Sequence, residues 1–325
     1  MARYRDHLPI GADTLFLTDG GIETVLIFHR GIELPEFAAF VLLESPEGRE
    51  VLKDYYRPYL SLAREHGTGF VLESPTWRSN PDWGARLGYG PEALDSVNRH
   101  AIALLVALRS EFEDAVPAIV LSGCIGPRGD GYVPRDQMTA GEAEAYHRDQ
   151  IETFASTEAD LVAAITIPYV DEAVGIARAA RAAGMPSVIS FTVETDGRLP
   201  SGDSLRDAVE RVDAETDAAP AYYMINCAHP EHFADVLTGE AWTRRIRGLR
   251  ANASTKSHAE LDAADALDAG DPDALGRDHV ELAHRLKQLS VVGGCCGTDE
   301  RHVAAICRAL LGEGLRAPAG RQAFS

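Results

Sequence analysis

An α/β chain closing into a (β/α)8 TIM barrel is the architecture to expect here, for three reasons. Eight short apolar runs alternate with segments of helical period, as parallel strands joined by crossover helices do, and eight repeats suit closure. No Gly-x-Gly-x-x-Gly opens a helix after the first run, so the usual mark of a doubly wound open sheet is missing. The 325 residues contain no stretch resembling an interdomain linker, so residues 1–325 are expected to form one barrel domain.

The strand candidates are residues 14–18, 69–73, 118–122, 161–167, 187–193, 222–226, 246–251 and 290–293, each short and rich in apolar side chains. Helical period recurs over 91–112, 140–157, 170–183, 204–213, 279–289 and 300–310. Residues 75–91, holding Trp77, Trp83 and Tyr89, read as a long loop after the second strand. Loops at that end of a barrel build active sites, so these aromatics either line a pocket or cap the mouth. Residues 259–276, rich in Ala and Asp with Gly270 and Pro272, read as an exposed connection with helical pieces.

Hydrophobic residues at 45% and charged residues at 25% describe a globular chain, and no apolar stretch approaches the length of a bilayer span, so no membrane partner is expected. The segment Met1-Ala2-Arg3-Tyr4-Arg5-Asp6-His7 has no apolar run behind its charges, so no secretory signal is visible. Five cysteines without a disulfide-like framework point to a reducing, cytoplasmic compartment. The net charge of −19, with lysine only at Lys53, Lys256 and Lys287, repels polyanions and argues against nucleic acid as a partner. The same field favours the approach of a small cation.

The chemistry concentrates in Val291-Val292-Gly293-Gly294-Cys295-Cys296-Gly297-Thr298 and in Tyr223-Met224-Ile225-Asn226-Cys227. Each set of cysteines follows an apolar strand-like run, and the glycines let the backbone bend so that adjacent sulfurs can face one point. Adjacent cysteines seldom pair with each other, because disulfide geometry strains the intervening peptide. Three thiolates could instead hold one zinc, leaving the fourth tetrahedral position open to a ligand such as a substrate thiol. In a barrel, Cys227 and the vicinal pair end strands six and eight on the same carboxyl-terminal face. Asp19-Gly20-Gly21 ends strand one beside them once the barrel closes; the acid could bind an ammonium group and the glycine amides a carboxylate. Other readings of the same residues are cysteine as a small buried hydrophobe and Asp19 as a turn residue. A hydrolytic zinc, or a metal-storage or redox-sensing centre, is a further alternative. Cys124 and Cys307 read as packing residues.

Taken together these pieces resemble the homocysteine S-methyltransferase family, zinc-dependent barrels that methylate homocysteine to methionine. The likeness is carried by Asp19-Gly20-Gly21-Ile22-Glu23-Thr24, Gly123-Cys124-Ile125-Gly126-Pro127, Thr166-Ile167-Pro168, Asn226-Cys227 and the block 293–298. It implies Cys227, Cys295 and Cys296 as zinc ligands, Asp19 as holder of the substrate amino group, and a small-molecule thiol acceptor and methyl donor as partners. Gly20, Gly21, Glu73, Trp77, Thr166 and Asn226 complete the expected substrate contacts. Two departures fall where the amino acid would be read: Ile165 replaces a family glutamate before Thr166, and Thr76-Trp77-Arg78 replaces a Thr-Tyr pair. Glu73 or Glu194 is then the expected substitute partner for the ammonium. The short segment after the cysteine block favours a sulfonium donor, whose charge suits the faces of Trp77 or Trp83 through an attraction of about 0.5–2 kcal/mol. A different thiol acceptor is the alternative.

Overall fold

The computed structural model describes residues 1–11, 14–264 and 266–314. Among them, eight parallel strands pair in chain order and the eighth returns to the first, giving a closed (β/α)8 barrel. They are β1 (Phe16–Leu17), β2 (Gly69–Glu73), β3 (Ile119–Ile125), β4 (Leu161–Ile167), β5 (Ser187–Phe191), β6 (Tyr222–Asn226), β7 (Ile246–Ala251) and β8 (Val291–Gly294). Every strand residue except Arg247 is buried, which is why the strands read as continuous apolar runs and do not alternate. β1 is shorter than the sequence suggests. Only Phe16 and Leu17 make ladder pairs, with Gly69 and Phe70 on one side and Val291 and Val292 on the other. Closure is completed beyond them, where the Thr18 amide donates to Val292 and the Gly294 amide to Asp19.

The crossovers are led by α1 (Pro46–His66), which Ser45 caps by accepting from the Gly48 amide, with Pro46 in the first turn and Gly67 ending the helix at φ 67°. Next come α2 (Pro81–Arg86), α3 (Pro91–Phe112), α4 (Ala140–Ala155), α5 (Val170–Ala182), α6 (Leu205–Thr216), α7 (Pro230–Phe233), α8 (His258–Asp262), α9 (Pro272–Arg285) and α10 (Glu300–Gly312). Two of these differ from expectation. The 75–91 connection is not all loop, because the Asn80 side chain accepts from the Trp83 amide and Pro81 starts α2. The helix expected at 279–289 begins at Pro272 with Asp271 as its cap and stops at Arg285.

Inside the barrel, Phe16, Val71, Val120, Leu161, Ala163, Val188, Tyr222, Met224 and Val291 pack together, and Ile10 with Tyr4 and Leu8 fills the amino-terminal mouth. Asp160 fastens that plug by accepting from the Arg3, Tyr4 and Leu121 amides. The carboxyl-terminal mouth is left as the accessible end. No helix among the described residues is long and apolar enough to cross a membrane.

One core group makes stability depend on pH. His279 of α9 is fully buried; its Nδ1 lies 2.8 Å from the Leu275 carbonyl, and its Nε2 has no partner among the described residues. Burial pushes its pKa down from 6.5 to about 4. The unfolded chain therefore takes a proton that the folded chain refuses, so this contribution is complete above about pH 6.5 and lost as pH falls toward about 4. Urea denaturation across that window should show the wild type losing about 3 kcal/mol more than His279→Gln.

Candidate active site

The last residues of β6 and β8 bring three sulfurs to the open mouth. Cys227, just past β6, has φ 56°, a left-handed conformation unusual for a side-chain-bearing residue and one that functional sites often hold under strain. At the end of β8, a Cβ on Gly293 would overlap the Thr18 hydroxyl, and one on Gly294 the Thr298 hydroxyl, so only glycine lets the chain through to Cys295. Cys227 Sγ then lies 2.6 Å from Cys295 Sγ and 3.4 Å from Cys296 Sγ, with all three sulfurs within 4.8 Å of one another. Cys227 is buried, Cys295 half-buried and Cys296 exposed. Hydrogen bonds from Cys227 and Cys296, with the charge of Arg250 nearby, hold the Cys295 thiol well below its ordinary pKa. The Cys227 and Cys296 thiols are pushed up, because they share hydrogen bonds with that favoured thiolate. Three sulfur donors this close form a cluster able to hold a metal ion, and their softness suits a borderline divalent cation.

Beside the sulfurs lies an ionic network built around Arg250 of β7. Its guanidinium, almost wholly buried, donates to Asp19 Oδ1 at 2.7 Å, to the Gly294 carbonyl at 3.1 Å, and to Glu73 Oε2. Tyr55 donates to Asp19 Oδ2 at 2.8 Å, and Ser122 to Glu73 Oε1 at 3.2 Å. Burial raises both acids, Glu73 to about 7, while Arg250 opposes the rise. One guanidinium offsets two carboxylates only in part.

An open cavity joins this network to the sulfurs. Asp19, Gly20, Gly21, Glu73, Trp77, Thr166, Cys227, Cys295 and Cys296 all line it, so most of the expected site residues meet at one place. Asn226 is not among the lining residues. Its Oδ1 accepts from the Thr166 amide at 2.9 Å and from Ser190 at 2.6 Å, and its Nδ2 donates to Thr166 Oγ1 at 2.8 Å and faces Cys295 Sγ at 3.8 Å. It therefore orients the site and does not touch the cavity, whereas a substrate contact was expected. Gly21 also departs from expectation, because its amide already donates to the Thr298 carbonyl and hydroxyl and is not free for a carboxylate. Trp83 lies outside the cavity lining, its ring covered by Arg78 at 3.6 Å and Arg86 at 4.3 Å, so the cation it attracts is the protein's own. Trp77 does line the cavity, with its Nε1 donating to the Ile165 carbonyl at 3.1 Å and Arg78 stacked 4.0 Å from its ring. Glu194 is not part of the lining. Cys124, expected only to pack, packs in the inner core and also lines the cavity, and burial keeps its thiol neutral.

Three contributors escaped the sequence reading. Arg250 carried a usable signal, a charged residue inside the otherwise buried run Gly248-Leu249-Arg250-Ala251, since buried charges must be paired. Glu23 lines the cavity four residues past Asp19, inside a motif already quoted for other reasons. Tyr132, from the connection after β3, places its hydroxyl 2.9 Å from Cys227 Sγ while its ring rests 4.2 Å from that of His258. Nothing local in the sequence marks it.

A family model described as homocysteine S-methyltransferase matches residues 16–310. The Escherichia coli homocysteine S-methyltransferase is 27% identical over 315 residues, spanning 90% of this chain and 94% of that protein. A selenocysteine Se-methyltransferase from Brassica oleracea is 22% identical over 320 residues, spanning 91% and 88%. The crystal structure of the metallated Escherichia coli homocysteine methyltransferase has a TM-score of 0.70 at 22% identity, with 91% of this chain and 96% of that one covered, a likeness of fold.

The Arg250 network sets an expectation for stability. Arg250→Met should cost about 3–5 kcal/mol in urea denaturation, because two buried carboxylates lose their cation. Adding Glu73→Gln should recover part of that loss, so the double variant is less destabilised than the sum of the single ones.

Proposed function

Since the chain belongs to the homocysteine S-methyltransferase family and is an S-methyltransferase, we propose that it moves a methyl group from a small sulfonium donor to the thiol of homocysteine, giving methionine. In this reading Cys227, Cys295 and Cys296 hold a zinc ion. The observation that carries it is the convergence of those sulfurs within 4.8 Å at the wall of an open cavity.

A free thiol titrates near pH 8.5 and only its thiolate is a good nucleophile, so the acceptor needs help to lose its proton at neutral pH. Zinc held by Cys227, Cys295 and Cys296 would supply that help as a Lewis acid that favours the thiolate form of the acceptor. The protein does the rest. Asn226 ties the end of β4 to Cys295, the Tyr132 hydroxyl lies 2.9 Å from Cys227 Sγ, and Arg250 supplies positive charge beside Cys295. The acceptor sulfur forms a bond to the donor methyl carbon while the old carbon–sulfur pair stays with the donor sulfur, which leaves as a neutral thioether. Holding both reactants in line can supply about 7–11 kcal/mol of the barrier in favourable intramolecular models. A cationic donor suits the net charge of −19. The five free cysteines suit a reducing compartment, and we place the enzyme in the cytoplasm.

The test is metal content together with turnover. Purified protein should carry about one zinc per chain, and Cys296→Ser should lose both the metal and methyl transfer from S-methylmethionine or S-adenosylmethionine to homocysteine. Full activity in metal-free protein would overturn the reading.

A further inference from the structure

Among the described residues, the carboxylates lining the cavity belong to Asp19, Glu23 and Glu73. Two of these are already committed. Asp19 receives Arg250 on one oxygen and Tyr55 on the other, and Glu73 receives Arg250 on one and Ser122 on the other. β4 offers no acid at its end, since Ile165 fills that part of the lining. An ammonium group reaching Asp19 or Glu73 would share carboxylate oxygens that already accept from Arg250, Tyr55 or Ser122.

Glu23 differs from both. It lines the same cavity, part-buried, and among the described residues its carboxylate accepts only from its own backbone amide and forms no salt bridge, Arg78 acting on it through its charge alone. It sits at the cap position of the helical turn Thr24–His29, but its side chain makes no capping bond. Burial first, then the neighbouring Cys295 and Asp19, push its pKa up to about 7 against its own backbone hydrogen bond and the charge of Arg78.

The backbone holds this acid next to the sulfurs. The Gly21 amide donates to Thr298, the Gly297 amide donates to Thr24 Oγ1 at 3.0 Å, and a Cβ on Gly21 would meet the Cys295 carbonyl at 2.5 Å. The 20–24 segment is thus fastened to the cysteine loop, and Glu23 and the sulfurs line one cavity. We propose that Glu23 receives the ammonium group of the acceptor amino acid, an inference that rests on homocysteine being the acceptor. Asp19 and Glu73 then serve to hold Arg250 in place.

The experiment compares kcat/KM for homocysteine with that for 4-sulfanylbutanoate, which lacks only the amino group, using one methyl donor throughout. The wild type should prefer homocysteine, and Glu23→Gln should cut that preference about ten- to hundredfold, mainly through KM for homocysteine, as expected for a lost charge-assisted hydrogen bond. Glu23→Asp keeps the charge and should retain most of the preference, which separates recognition from a general packing defect. An unchanged preference in Glu23→Gln, or a wild type that does not distinguish the two thiols, overturns the role of Glu23 while homocysteine remains the acceptor. A wild type that methylates neither thiol overturns the acceptor reading itself, and the role of Glu23 with it.

Discussion

A single buried guanidinium organises the working end of this barrel. Arg250 leaves β7 and reaches the ends of β1, β2 and β8 through Asp19, Glu73 and the Gly294 carbonyl. Buried ion pairs add little net stability, because desolvation consumes most of the Coulombic gain, but they tolerate few alternative arrangements. The effect here is geometric and electrostatic. The ends of four neighbouring strands, β7, β8, β1 and β2, are drawn to one point, and two acids that would repel an incoming thiolate are partly neutralised.

The sulfur cluster depends on a second set of constraints in the backbone. Thr166 has φ 64° and Cys227 φ 56°, so β4 and β6 both end in conformations that side chains normally avoid. Asn226 sits between the two, satisfying the Thr166 amide and hydroxyl while facing Cys295. Strain at a strand end persists only where neighbours over-determine it, and this asparagine is one such neighbour. On β8 the same result is reached without strain, because Gly293 and Gly294 leave room for the hydroxyls of Thr18 and Thr298.

Similarity of sequence and fold does not settle how the cavity is used. The family match spans residues 16–310, yet the wall where an amino acid would be read carries Ile165, Trp77 and Arg250 together. These residues act as a group. β4 brings Ile165 and no acid to the lining, and a buried cation engages the acids on β1 and β2, while Glu23 on the connection after β1 forms no salt bridge among the described residues.

Much of this was readable from local chemistry. β2, β4, β6 and β7 fall at the expected residues, because a fully buried strand is a short apolar run whatever surrounds it. The three cysteines could be placed on one face because every parallel strand of a closed barrel points the same way. Which groups neutralise one another was not readable. Arg250 meets residues 177 and 231 positions away, and Gly21 gives its amide to a threonine 277 positions away. Those pairings come from strand register and closure, which bring distant ends together only after the whole chain has folded. Local patterns therefore supplied the scaffold and the thiols, while the long-range geometry chose which acid stays uncommitted.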